Sequence, residues 1–174
     1  YIGEGDTIKL ISTDKTTVTL SLEGPTESAA TATITVIDSS SPPGVPFIGE
    51  GDTIKLISTD ETTVTLTMQG TGGSTTSAET SGTTLTAKTL SAGSYADTTL
   101  HATAQAAEIK TAINYHTKFS ATNSTNVVTI TQADGGNAGN TTITKTELGA
   151  AGMTNTDFTG GAGTFDSYNL SDSP

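Results

Sequence analysis

The chain has 174 residues, no Cys, and 7 Lys against 18 Asp+Glu, which gives a formal net charge of −11. There is no Arg, and the sequence pI is near 4.2. That excludes a nucleic-acid binder, which needs clustered cations to neutralise phosphate, and it excludes disulfide, thiol and thiolate-metal chemistry. No apolar run reaches the ~18 residues of a membrane-spanning helix. The absence of an initiator Met and of a signal peptide points to a processed or partial chain.

Hydrophobic residues make up 32% of the chain and aromatics 5%, with no Trp. Low hydrophobicity with high net charge can signal disorder. The polar bulk here is Thr, which supplies 40 residues and favours strands because it is β-branched. The apolar residues alternate regularly, as half-buried strands require. The expected fold class is therefore mainly β with one helix (α+β), an antiparallel hairpin repeat with Thr-rich strands and a small sheet packed by a single helix.

The strongest signal is an internal repeat. Residues 1–20 read YIGEGDTIKLISTDKTTVTL and residues 47–66 read FIGEGDTIKLISTDETTVTL, identical at 18 of 20 positions. The exceptions are Tyr1/Phe47 and Lys15/Glu61. Duplication of a structural module produces such near-identity. In the first copy residues 7–12 form a strand with Ile8 and Leu10 on one face and Lys9 on the other. Ser12–Lys15 make a polar turn. Residues 16–22 return with Val18, Leu20 and Leu22 on one face. The second copy repeats this pattern with Ile54, Leu56, Val64, Leu66 and Met68. Residues 31–37 alternate as a further strand, and residues 39–46 (SSSPPGVP) read as a stiffened linker.

Beyond the second hairpin, residues 70–82 are a Gly/Ser/Thr loop and 83–90 a strand. Residues 104–116 (AQAAEIKTAINYH) read as a helix, with Thr103 as N-cap and Ala106, Ile109, Ala112, Ile113 and His116 as its apolar stripe. Strands follow at 119–122 and 126–132, then a Gly/Asn loop at 133–140 that reads as a long hairpin turn, then a strand at 141–145. Residues 149–174 read as a Gly-rich extended arm. The expected organisation is a truncated repeat (1–38), a linker (39–46), a full α+β module (47–148) and the C-terminal arm (149–174). The expected core is Ile54, Leu56, Val64, Leu66, Ile109, Ile113, Phe119, Val128, Ile130 and Ile143. Met153, Phe158, Phe165, Tyr168 and Leu170 in the arm are expected to lie across another subunit.

The order GDTIKL, Thr-rich return strand, AEIKTAIN, FSAT, NVVTITQ, GGNAGNTTIT resembles a module recurrent in tailed-bacteriophage virion proteins of the head-decoration and fibre-like kinds. The resemblance covers about residues 47–146, with an echo in 1–37 that lacks the helix and the GN loop. It implies a non-enzymatic virion structural protein, a capsid decoration (cement) or fibre component. The implied partners are copies of itself and other virion proteins, the major capsid protein among them. Neither nucleic acid nor membrane is an expected partner, and a host-surface glycan is open. The other readings are a carbohydrate- or cell-binding adhesin module, at the cell surface, and a self-assembling surface filament or layer subunit. An adhesin would draw its exposed aromatics from Tyr1, Tyr95, Tyr115, Tyr168, Phe47, Phe119, Phe158 and Phe165.

No catalytic, cofactor or metal residues are assigned. His101 and His116 have no further ligands at zinc spacing, and His116 reads as a core-edge residue. Glu4 with Asp6, and Glu50 with Asp52, could offer oxygens to Ca²⁺, but solvated turns explain them better. The loop Asp134–Asn140 lacks the Lys of a phosphate loop, so its Gly and Asn residues are expected to supply positive φ. Asn-x-Ser/Thr triplets begin at Asn123, Asn140 and Asn169 and arise readily in a Thr-rich chain.

Overall fold

The computed structural model describes residues 7–21, 27–37, 48–70, 84–90, 98–149 and 151–163. Over these the chain is mainly β with a single α-helix. The elements are β1 (Thr7–Ile11), β2 (Thr17–Ser21), β3 (Thr31–Val36), β4 (Thr53–Ile57), β5 (Thr63–Gln69) and β6 (Thr84–Lys88). Then come α1 (Thr98–Ile113), β7 (Phe119–Ser124), β8 (Val127–Gln132), β9 (Thr144–Thr146) and β10 (Met153–Thr159). They form a β1–β2 hairpin and two four-stranded sheets, ordered β10-β3-β8-β7 and β6-β5-β4-β9. All pairings are antiparallel except β5–β6, which is parallel.

The two hairpins pair in one register. Ile8 faces Leu20 and Leu10 faces Val18 in the first, and Ile54 faces Leu66 and Leu56 faces Val64 in the second. Their turns also match. Lys15 and Glu61 both take positive φ, 67° and 66°. Ser12 N–H donates to Thr16 O and Ser58 N–H to Thr62 O, each at 2.9 Å. Asp14 and Asp60 each accept the hydroxyl of the serine two residues before. The difference between the copies is their surroundings. The second hairpin is flanked by β6 on one edge and β9 on the other, whereas β1 and β2 pair only with each other among the described residues.

The strand pairing runs across the unit boundary expected at 39–46. β3, assigned by sequence to the first unit, pairs with β8 and β10. Its inward residues Ala32, Ile34 and Val36 are buried, cover that an isolated hairpin could not supply. The linker itself lies outside the described residues, as does most of the 70–82 loop. Part of the expected arm is instead strand β10. Met153 and Phe158 are buried in the chain's own core rather than exposed for another subunit, and the Phe158 ring stacks on Phe119 at 5.8 Å. Phe165, Tyr168 and Leu170 lie outside the described residues.

The helix begins earlier than expected, at Thr98, so Thr103 lies within it rather than capping it. Its buried stripe is His101, Ala102, Gln105, Ala106, Ile109, Ala112 and Ile113, the i, i+3, i+4 spacing of one helix face. Five of these seven are His, Gln or short Ala, and the four up to residue 106 carry too weak an apolar signal to mark a helix start. The small Ala side chains let α1 lie close over both sheets, chiefly against β6 and β7. Asn114 closes the helix onto β7, its side chain donating to Ala121 O at 2.9 Å and accepting from Ala121 N–H at 2.7 Å. All ten residues of the expected core are buried.

Candidate functional site

Two surface features stand out: the apolar β1–β2 hairpin and a cleft formed by the Gly/Asn loop. In the hairpin Leu10 is 54% exposed and Val18 50%, whereas their counterparts Leu56 and Val64 are 0% and 1% exposed; Ile11, on the opposite face, is exposed where its counterpart Ile57 is half-buried. One sequence in one register thus buries its apolar face in one copy and presents it to solvent in the other. Among the described residues no further strand pairs with either edge of this hairpin, and exposed apolar edge strands are what soluble proteins ordinarily avoid.

The Gly/Asn loop does not turn back as a hairpin. It carries the chain from β8 in one sheet to β9 in the other, since these strands do not pair. Gly136 takes φ 111°, and a Cβ on Gly161 would meet Gly136 O at 2.5 Å, so this crossing needs glycine. Asn140 ties it to the chain after β10, donating to Gly161 O at 2.9 Å and accepting from Gly161 N–H at 2.8 Å. A cleft of about 520 Å³ opens here, lined by Glu27, Thr59, Asp134, Asn137, Ala138 and neighbouring glycines. Among the described residues its lining carries two carboxylates and no cation.

Beneath the cleft, buried Gln132 joins the two sheets. Its Nε2 donates to Ile57 O at 2.9 Å and to Gly139 O at 3.2 Å, and its Oε1 accepts from Thr59 N–H at 3.2 Å. Thr59 Oγ1 in turn donates to Asp134 O at 3.1 Å. The second hairpin's turn is thereby fixed beside the loop. Lys118 adds an ion pair to Asp60 at 2.8 Å. Sequence reading missed Gln132 because a polar residue at a strand end carries no signal of burial.

The acidic pair Glu50/Asp52 is split. Glu50 is exposed. The Asp52 carboxylate is buried, with Oδ2 accepting from Gly49 N–H and Oδ1 from Leu148 N–H, both at 2.8 Å. It acts as a clamp between the start of the second hairpin and the chain after β9. Glu4 and Asp6 lie outside the described residues. Among the described residues no three His, Asp or Glu side chains gather as a metal site would require. His116 lies past the helix end with its ring against Phe119, and its Nδ1 accepts from Lys118 N–H at 3.2 Å. His101 is buried, with Nε2 donating to Leu90 O. Of the sequon asparagines, Asn123 donates to Thr125 O at 3.4 Å, Asn140 is engaged as above, and Asn169 lies outside the described residues.

Three ionisable groups have shifts whose direction implies a loss of stability in acid. Burial holds His101 below its ordinary 6.5, against the opposing bond to Leu90. The Lys118 ammonium, then the Ser58 and Thr62 donors, holds Asp60 below the usual carboxylate range. Burial pushes Glu147 up, but Lys145 and the Gly152 and Met153 N–H groups outweigh it and leave it below 4.5. All three folded values are depressed, so each contribution is present above the unfolded value and lost as pH falls. The melting temperature should hold above pH 6.5, decline as His101 is forced to charge, and fall further below pH 4.5. A thermal melt series from pH 8 to pH 3 checks this, and a profile that rises toward acid would refute it.

No helix among the described residues is long and apolar enough to cross a membrane. Comparison of the chain with protein-family models, curated proteins and solved structures gave no match.

Proposed function

We propose that the chain is a non-enzymatic structural component of a phage virion, a capsid decoration or fibre protein that works by contacts with copies of itself and with other virion proteins. The observation that carries this reading is the pair of hairpins. The second shows what this sequence does when complete: it buries Leu56 and Val64 and takes a strand on each edge. The first offers the same residues, and among the described residues its two strands pair only with each other, which leaves edges of the kind that strand-adding partners recognise. Repetition over a symmetric particle multiplies a weak contact of this size into firm attachment. The acidic, Arg-free remainder suits a crowded surface that must stay soluble. An adhesin is less well supported, because two of the three aromatic rings of Tyr or Phe described, Phe119 and Phe158, are stacked inside the core.

The test is the double variant Leu10→Asp with Val18→Asp. The wild-type chain should associate with itself or with virion particles as concentration rises, measured by sedimentation velocity and particle co-sedimentation. The variant should melt at the same temperature yet remain unassociated. Equal association of the two chains would sink the proposal, as would a wild type that stays monomeric and binds no particle.

A further inference from the structure

We propose that the turn of the first hairpin, Ser12–Lys15, docks into the cleft lined by Glu27 and Asp134 on a second copy of this chain. The inference deepens the assembly reading above and rests on it. Three observations carry it.

The first is charge. The first hairpin carries Lys15 in its turn and Lys9 on β1, two of the seven cations of a chain of net −11, with Asp14 the one acid between Thr7 and Ser21 and with Glu4 and Asp6 just before them in sequence. The cleft is acidic: Glu27 and Asp134 line it, and Glu61 lies two residues along the turn from the lining residue Thr59 and is exposed. Opposite charges on the two surfaces steer encounter and fix register.

The second is where the two copies of the hairpin differ. Over the 20 repeated residues one of only two changes is Lys15/Glu61, at the matching positive-φ corner of the turn. The hairpin already seated carries the acid two residues along the chain from the cleft-lining Thr59, and the hairpin left exposed carries the base. The change creates a complementary pair of turns without altering the fold of either.

The third is shape and cover. The lining is largely glycine, Thr and Ala, and about 520 Å³ is room for a few side chains of a tight turn. Once the turn is seated, Leu10 and Val18, paired behind it on one face of the hairpin, lie close to the partner's surface and lose water. That burial supplies the free energy which an exposed ion pair alone does not. The hairpin and the cleft are different surfaces, so the contact is heterologous and propagates into a ring or a filament, or closes reciprocally between two copies.

The experiment is a charge exchange read by sedimentation velocity on full-length chains. Lys15→Glu installs the residue that the second hairpin already carries at this φ, so folding is not at issue. It should weaken self-association at least about tenfold. Glu27→Lys with Asp134→Lys should weaken it similarly. Mixing the two variants should restore association between them. Wild-type association should also weaken between about 50 mM and about 0.5 M salt, where screening shortens the reach of charge. Wild-type-like association by Lys15→Glu, or no recovery on mixing, would overturn the docking. If Leu10→Asp with Val18→Asp still abolishes association in that case, the assembly reading stands and only the cleft as partner falls. A wild type that never associates and binds no particle would end both.

Discussion

Leu56→Ala should cost about 2–5 kcal/mol of folding stability, and Leu10→Ala, the same substitution in the same sequence context, no more than about 0.5 kcal/mol. Leu56 is fully buried between a β-strand on either side of its hairpin and the core below, so truncation removes transfer energy and leaves a cavity. Leu10 is 54% exposed and gives up little on truncation. A domain of this size has only about 5–15 kcal/mol in total, so the first variant should lose a large share of its stability and the second almost none. Urea unfolding of dilute protein, followed by far-UV circular dichroism, reads both. Equal losses would mean that the first hairpin is covered within its own chain. The same pair measured in the assembled state should converge, because covering Leu10 in an interface restores the cavity cost.

The sequence made legible those elements whose apolar residues alternate without interruption. TIKLI and TVTLT specify the hairpin and its register, because a one-residue slip would turn Ile54 and Leu56 outward. VVTITQ and TATITV do the same for β8 and β3. β10 was not legible, and its geometry says why. Met153 and Phe158 are five residues apart, which strict alternation places on opposite faces. A bulge inserts one residue between Thr156 and Thr159 against Thr33 and Thr31, and this change of parity brings both side chains into the core. The early helix start was hidden for a related reason. Thr98, Thr99 and Thr103 have modest helix propensity, and the turn is held by burial of His101 and Ala102, a tertiary effect.

The surface features were legible only as chemistry without placement. The acids Glu50 and Asp52 are two residues apart, so a strand-start reading put them on one side. The turn at Gly51, with φ 87°, separates them, and Asp52 goes inward to serve two backbone N–H groups. The glycine loop was recognised as a site of unusual φ, but not as the crossing between two sheets. Local turn signals carry no information about which strand follows. What composition could not show at all is that two nearly identical hairpins meet opposite surroundings. That depends on which strands reach their edges.

Gln132→Leu should destabilise the fold by about 3 kcal/mol, because the amide is a buried polar link between the sheets and apolar replacement orphans its partners. Gly139 O and Thr59 N–H would each lose a bond, while Ile57 O retains the Thr141 hydroxyl at 2.6 Å. Gln132→Glu separates the bonding from the shape. A carboxyl of the same size can still accept from Thr59, but ionised it faces the Ile57 and Gly139 carbonyl oxygens without a proton to give. Burial and those oxygens should raise its folded pKa above the ordinary glutamate value. A raised folded pKa contributes stability that is present below the unfolded value and lost as pH rises. The Glu variant should therefore match or exceed the loss of the Leu variant at pH 7. As pH falls to about 4.5, protonation restores one donor in place of two, and the variant should recover part of the difference. That recovery runs opposite to the acid loss expected of the wild type, which makes it hard to mistake. Urea unfolding of the three chains at both pH values decides the matter. Two variants that track each other at both pH values would show that the side chain at 132 fills space between the sheets without bonding them.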